Sequence, residues 1–375
     1  MTGGTIDVTG AAVQTTGAAV QATDAAVQAT GTGNGTRATG PAALGPATVR
    51  ALEAVGLDVS DVVRVVRAAL DEDFRYGADV TSAATVAGRT VTADVVAREA
   101  GVVAGLPVAL AVFDLLADYR GGVAGDASAM TRDTSGPYGG TLYPTSLATS
   151  PHGPGRAATA SALVADGTRV MPGDAVLRVS GDAVVVLGAE RTILNFVTHL
   201  SGIASATREW ADALAGTGAV VRDTRKTLPG LRSLQKYAVR CGGGENHRMA
   251  LGDAALIKDN HVAAAGGVAA AVRAVRAAAP PGLVIEVECD SVAQVREALA
   301  AGARFILLDN MPVPTLREAV AVARAYDGVL LESSGRLQVA NARAVAATGV
   351  DYLSVGSLTH SSRTLDLGLD YSGSA

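Results

Sequence analysis

From residue 218 onward, two kinds of apolar pattern alternate along the chain. Six short apolar runs each close on polar residues: G-A-V-V-R-D-T-R-K, A-A-L-I-K-D-N-H, L-V-I-E-V-E-C-D-S, F-I-L-L-D-N, G-V-L-L-E-S-S-G and D-Y-L-S-V-G-S. Between them, apolar positions recur every three or four residues. This spacing predicts helices over 268–278, 292–301, 315–325 and 339–348, the second capped by Ser291. Uninterrupted apolar runs are strands buried on both faces, and their alternation with amphipathic helices predicts a parallel sheet or β/α barrel. Polar residues closing the runs would then converge on one barrel face, where such folds carry their chemistry.

The first half is less regular. Helices are expected over 59–70, with Ser60 as N-cap, and over 107–119. β-Branched residues alternate or cluster over 90–97, 175–179 and 182–188, which reads as three strands, and a helix begins at Glu190 and runs to Gly202. A small sheet with helices is the expected first domain. Two low-complexity stretches interrupt the pattern. Residues 1–41 are rich in Ala, Thr, Gly and Gln, with A-A-V-Q recurring at Ala11, Ala18 and Ala25. One valine every seven residues is too little apolar area for a coiled coil, so a disordered tail is expected. Residues 121–158, rich in Gly, Ser, Thr and Pro, read as a mobile surface insertion carrying His152.

Composition narrows the function. At 375 residues, 49% hydrophobic and 18% charged, the chain can bury two ordinary globular cores. A net charge of -5 argues against general nucleic-acid binding, so a basic cluster would serve a small anion. Two cysteines, Cys241 and Cys289, make no disulfide framework. No basic residue precedes Arg37, and the longest apolar run, 100–113, carries Gly and Pro and is too short to span a bilayer. A cytoplasmic protein is expected.

Such a basic cluster exists. The three lysines, Lys226, Lys236 and Lys258, all fall in one glycine-rich stretch, whereas every other basic position is arginine. A lysine kept where arginine serves elsewhere suggests a need for a compact ammonium. The stretch runs D-T-R-K-T-L-P-G-L-R-S-L-Q-K-Y-A-V-R-C-G-G-G-E-N-H-R from Asp223 to Arg248, then I-K-D-N-H to His261. Arg, Lys and His packed around permissive glycines suit an anion-handling site. Glu288 and Asp309 each close an apolar run, where a carboxylate faces the barrel mouth. Glu286 shares the strand face of Glu288, which leaves Cys289 on the helix side as packing.

This stretch, with E-V-E-C-D-S, L-L-D-N-M, E-S-S-G, V-G-S-L-T-H and L-D-L-G-L-D-Y, resembles the quinolinate phosphoribosyltransferase family. Upstream, Y-G-A-D-V-T-S and E-R-T-I-L-N-F-V-T-H-L-S-G-I-A fit as well, and the likeness covers residues 55–118 and 160–371. The resemblance implies an α/β sandwich domain over 42–194, an open β/α barrel over 195–361, and 362–375 returning to the sandwich. It implies transfer of phosphoribosyl from phosphoribosyl pyrophosphate to quinolinate with decarboxylation, in de novo NAD biosynthesis. By resemblance, Thr224, Arg225, Lys226, His247, Arg248 and Lys258 bind quinolinate, with Arg191 added from the partner subunit of a homodimer. Glu288, Asp309, Ser334, Gly335, Gly356, Ser357 and His360 fall to phosphoribosyl pyrophosphate, Glu288 and Asp309 also to magnesium. Lys226, Lys258, Glu288 and Asp309 carry catalysis. His199 and His261 are expected to be structural. Arg336 departs from the family pattern, which more often has a small or amide residue there.

Three alternatives remain. A related phosphoribosyltransferase of the molybdenum-transport-associated type would take another acidic acceptor. A Schiff-base aldolase would use Lys258 as its amine but leave the arginines and glycine loops without a role. A phosphate-binding regulatory module would bind without turnover.

Overall fold

The computed structural model describes residues 44–123 and 158–371; the expected tail, most of the insertion with His152, and the last four residues lie outside them. Three helices come first, α1 (Pro46–Ala54), α2 (Val59–Asp73) and α3 (Val80–Thr85). They precede strands β1 (Thr90–Ala97) and β2 (Gly101–Val102) and helix α4 (Leu106–Val123). Strands β3 (Thr159–Ala162), β4 (Arg169–Val170) and β5 (Ala175–Asp182) lead into the 32-residue helix α5 (Ala183–Leu214).

Two expectations are corrected here. The N-cap of α2 is Asp58, whose carboxylate accepts the Asp61 N–H at 2.9 Å; Ser60 lies inside the first turn and donates its hydroxyl to Asp58. The β-branched run after Asp182 is helix, not strand. Asp182 Oδ1 accepts the Val184 and Val185 N–H groups at 2.9 and 3.4 Å and so starts α5 there. Valine's strand preference is worth only a few tenths of a kcal/mol per residue, less than a cap and a buried helix face supply. Among the described residues, α5 alone is long and apolar enough to cross a membrane, which the 100–113 run was too short to do. More than half of its most apolar stretch is buried inside the protein, as in a core helix.

The second half supplies β6 (Val220–Arg222), α6 (Arg232–Cys241), β7 (Ala255–Ile257), α7 (Asp259–Ala265), α8 (Val268–Ala278) and β8 (Ile285–Cys289). It continues with α9 (Val292–Ala300), β9 (Phe305–Asp309), α10 (Val313–Ala323), β10 (Leu330–Ser334) and α11 (Val339–Ala346). The chain ends with β11 (Tyr352–Ser354), α12 (Ser357–His360) and β12 (Leu367–Tyr371). Helix α8 spans the expected residues, and Ser291 caps α9 by accepting the Gln294 N–H. Helix α6 lies in the basic, glycine-rich stretch, where no helix was expected.

Two main sheets result. The first is antiparallel in the order β12-β1-β5-β3, the last strand of the chain lying against β1 with Tyr371 opposite Ala93. To reach it the chain crosses α5 at Gly202, where a Cβ would sit 1.9 Å from the Arg363 carbonyl oxygen. The second sheet is parallel, in the order β6-β11-β10-β9-β8-β7. It curls. The Arg222 guanidinium lies 5.5 Å from the Phe305 ring centre, although three strand spacings, about 14 Å, separate β6 from β9 in a flat sheet.

Side-chain alternation divides the work of these strands. Val287, Cys289, Ile306, Leu308, Leu331 and Leu353 face the helices and are fully buried. Each such apolar burial contributes roughly 1.5–3 kcal/mol, enough to hold the strands from outside. The inner face is thereby free to be polar: Arg222, Glu286, Glu288, Asp309, Glu332, Ser334 and Ser354 occupy it.

Candidate active site

The site begins where β6 ends. Asp223 and Lys236, both fully buried, form an ion pair between the end of β6 and α6. Asp223 Oδ1 also accepts the His247 N–H at 2.9 Å, and its Oδ2 accepts the Asn246 side-chain amide at 2.6 Å. Lys236 Nζ donates to the His247 carbonyl at 2.8 Å, and Arg222 Nη2 donates to the Asn246 carbonyl at 3.1 Å. Burial pushes the carboxyl up and the ammonium down, and the contact between them opposes both. The N-H-R segment is thus clamped by the Asp223–Lys236 pair and by Arg222, charged groups with their counter-charges inside the protein.

His247 sits beneath the mouth, 8% exposed. Its Nδ1 accepts the Arg248 N–H at 2.7 Å, and its Nε2 lies 2.9 Å from Glu286 Oε2 and 3.5 Å from Glu332 Oε1. Burial holds the imidazole below the ordinary histidine value. Burial also pushes the Glu286 carboxyl up to about 7 and raises that of Glu332, which Glu286 raises further. Arg222 Nη1 meets Glu332 Oε2 at 2.7 Å, and Ser354 donates to the other Glu332 oxygen.

Nearer the strand ends the basic groups are more exposed, and Arg248 donates from Nη1 to the Ala254 carbonyl at 3.0 Å. Arg225 and Arg248 are half-buried, and the Nε of each is buried without a hydrogen-bond partner. Desolvation and the nearby Arg225 charge lower the Arg248 pKa. Two arginines that repel each other and keep open donors are poised for a carboxylate. Lys226 is exposed, and its stem lies beside Gly356, where a Cβ would be 2.9 Å from Lys226 Cδ, 3.4 Å from Thr224 Oγ1 and 3.6 Å from His360 Nε2. The ends of β6 and β11 therefore bring Thr224, Lys226, Gly356 and His360 together. Ser357 begins α12 beside them.

On the other side, Lys258 at the end of β7 donates to Glu288 Oε2 at 2.6 Å. Asp309 Oδ2 accepts the Asn310 amide at 2.7 Å, and the Asn310 N–H donates to the Ser334 carbonyl. Gly335 follows in the left-handed region, with φ of 87°, and a Cβ there would lie 2.2 Å from Asn310 Oδ1. Only glycine fits that approach. Arg336 comes next at φ 53°, exposed and left-handed without being Gly or Asn.

Three of the expected residues stand apart. Arg191 is exposed on α5 and not at a barrel strand end. His199 pairs with Gln235, and the His261 ring accepts the Lys258 N–H at 2.9 Å.

The matching family models are those of the quinolinate phosphoribosyl transferase C-terminal domain over residues 203–370 and its N-terminal domain over 145–201. The chain is 52% identical to the nicotinate-nucleotide pyrophosphorylase [carboxylating] of Mycobacterium leprae over 81% of its length and 95% of that protein. This chain belongs to the quinolinate phosphoribosyltransferase family. Among solved structures, the nicotinate-nucleotide pyrophosphorylase of Francisella tularensis superposes with a TM-score of 0.70 at 32% identity, over 84% of this chain and 97% of that one. NadC of Streptococcus pyogenes gives 0.69 at 36%, over 84% and 99%.

Within the family frame, three buried groups went unnoticed in the sequence: Glu332, Arg222 and the Asp223–Lys236 pair. Glu332 shares its strand face with Ser334, and that parity was its signal. Lys236 was visible as a rare lysine, but nothing in the sequence separated it from Lys226 and Lys258.

Proposed function

We propose that this protein transfers the phosphoribosyl group of phosphoribosyl pyrophosphate to the ring nitrogen of quinolinate, releasing pyrophosphate and carbon dioxide and yielding nicotinate mononucleotide. One observation carries the reading: half-buried Arg225 and Arg248 lie close enough for their charges to interact, and the Nε of each is buried without a partner, a donor that a dicarboxylate would satisfy. Glu288, Asp309 and Ser334 close one side of the site, and Gly335, Gly356, Ser357 and His360 supply the phosphate loops.

The roles follow from charge. Arg225, Arg248 and Lys258 hold the carboxylates and fix the ring nitrogen against the anomeric carbon. That nitrogen attacks as the carbon–oxygen bond to pyrophosphate breaks, through an oxocarbenium-like state, and the bonding pair leaves with pyrophosphate. Lys226, beside Gly356, offsets the charge that grows on the leaving group. The new pyridinium draws the electron pair of the adjacent carbon–carboxylate bond, carbon dioxide departs, and the ring carbon takes a proton. Glu288 and Asp309 are partly exposed oxygen donors at strand ends, a set that fits a magnesium ion keeping most of its water. When bound, that ion neutralises pyrophosphate charge.

The aldolase alternative would use Lys258 but leaves Arg225, Arg248 and the glycine loops at Gly335 and Gly356 without a role. A homodimer goes with this reading, because exposed Arg191 can complete the acceptor site only across subunits. The free Cys241 and Cys289 suit a reducing cytoplasm. The test is turnover with phosphoribosyl pyrophosphate and magnesium, offering quinolinate and nicotinate in parallel. Mononucleotide and carbon dioxide from quinolinate alone are expected; product from neither would leave a homologue with another acidic acceptor.

A further inference from the structure

The segment that follows β6 carries Thr224, Arg225 and Lys226, and side chains from separate elements hold its main chain. The Lys226 N–H donates to Thr224 Oγ1 at 3.0 Å, and the Leu228 N–H donates to Gln235 Oε1 at 2.9 Å. Arg64 of α2 donates to the Gly230 carbonyl at 3.2 Å. The Lys226 carbonyl is served from much further along the chain, by the Thr359 hydroxyl of α12 at 2.8 Å. That hydroxyl also lies 3.2 Å from the Gly356 carbonyl, which already accepts the Thr359 N–H at 3.2 Å. One hydroxyl has one proton, and the shorter contact takes it. A second contact lies beside this bond, where the Lys226 stem runs so close to Gly356 that a Cβ there would be 2.9 Å from Cδ. Main chain and side chain of Lys226 are thus both fixed against residues 356–359.

A buried threonine in a helix commonly does no more than return its hydroxyl to a carbonyl of the preceding turn. Here the shorter bond leaves the helix and joins two segments that carry chemistry. We propose that Thr359 is a positioning residue: its buried hydroxyl ties the main chain of Lys226 to the segment proposed to hold the ribose phosphate, so that this segment sets where the Lys226 ammonium stands. At 1% exposure, Thr359 itself meets no substrate. The inference rests on the reading that Lys226 offsets charge on the departing pyrophosphate. An exposed lysine on a flexible four-carbon stem keeps its ammonium in one place only when its main chain and stem are held. A displacement of about 1 Å there costs rate, because stabilising a growing charge depends on position.

Two substitutions in the intact protein separate hydroxyl from shape. Thr359→Val removes the hydroxyl and keeps the volume, whereas Thr359→Ser keeps the hydroxyl and loses a methyl group. Thr359→Val is expected to lower kcat about tenfold, with the quinolinate KM moved less than about twofold. Thr359→Ser should turn over within about twofold of wild type. The opposite order, valine active and serine impaired, would show that Thr359 serves packing and would overturn the proposal. In a Lys226→Ala background, Thr359→Val should cause no further loss, since both changes disable one group; losses that multiply would overturn it too. Hydrogen exchange of the wild-type protein gives a readout that needs no variant to fold. Ribose 5-phosphate, used as the probe, should slow exchange of the Lys226 and Leu228 amides severalfold, because the two segments move as one. Saturation with ribose 5-phosphate that leaves those amides unchanged would overturn the tie, and absence of binding would overturn it together with the phosphate assignment. Wild-type protein that shows the slowing yet is inert toward quinolinate would count against the proposed acceptor and support the tie.

Discussion

Two charged layers can be told apart in the barrel, and they differ in burial and not in composition. The lower layer holds Arg222, Asp223, Lys236, His247, Glu286 and Glu332, buried and bonded to one another. The upper holds Arg225, Lys226, Arg248, Lys258, Glu288 and Asp309, more exposed, with Lys258 paired to Glu288. Both contain Arg, Lys and acids, so residue type alone cannot separate them. What separates them is exposure: the lower charges are almost shut away from water, whereas the upper ones reach the strand ends, where a ligand can meet them.

The comparison breaks most visibly in the lower layer. Lys236→Met leaves Asp223 buried without a counter-charge, and removing one partner of such a pair costs about 3–5 kcal/mol. Denaturant unfolding should show that loss, and adding Asp223→Leu should recover part of it. If Lys236→Met unfolds like the wild type, the lower layer is not a structural clamp. In the upper layer the same kind of change should leave the fold alone. Arg225→Ala is expected to lower kcat/KM about a hundredfold or more while the unfolding midpoint moves little. Normal turnover in that variant would remove Arg225 from the pocket.

Why the sequence shows one layer better than the other follows from the strands. The apolar runs from 218 to 357 reveal the parallel strands because their outer faces, such as Ile306 and Leu308, are continuously buried. The polar ends of the same runs reveal Glu288, Asp309 and Ser334, because a strand end announces itself by the change from apolar to polar. Glu332 lies within a run, where a single acid looks like an interruption, whereas Glu286 could be placed because it shares the face of Glu288. Helix α6 was missed for a related reason. Its buried stripe, Leu234, Tyr237 and Ala238, is short and surrounded by Arg, Gln and Lys, so no helical period stands out there. The segment after Asp182 failed differently, since three successive valines look like a strand until their cap is seen. No pattern in one chain can say what a second copy contributes, so Arg191 stayed a matter of resemblance.

A pH experiment sharpens the contrast with a smaller effect. Glu286 binds its proton more tightly when folded, about 7 against an ordinary 4.5, because burial disfavours the carboxylate. The native state therefore keeps a proton that the unfolded chain releases between those values. Stability contributed by this group is present below pH 4.5 and lost as pH rises toward 7. Glu286→Gln removes the dependence. Relative to that variant, the wild type should lose on the order of 1–3 kcal/mol between pH 5 and pH 8, read by denaturant unfolding at each pH. Parallel pH curves for the two proteins would mean that Glu286 titrates normally and that the lower layer is wetter than its burial implies.

The smallest effect is expected at the rim. Arg336 holds a left-handed backbone at φ 53°, a conformation that costs a residue with a Cβ about 1 kcal/mol and that Asn tolerates better. Its exposed side chain follows Gly335, at a loop proposed to hold the ribose phosphate. Strain kept beside a binding loop is informative when relieving it changes binding. Arg336→Asn should raise stability by up to about 1 kcal/mol, since the neighbouring Gly335 and Asn310 geometry is untouched. The same variant should raise the phosphoribosyl pyrophosphate KM severalfold at low salt, with a smaller rise at high salt, because an exposed guanidinium acts on phosphate through a screened field. A stability gain without any change in KM would place Arg336 outside the upper layer, as a surface charge on a strained turn. A rise in KM that ignores salt would point to altered loop shape, and the boundary of the upper layer would then run at Gly335.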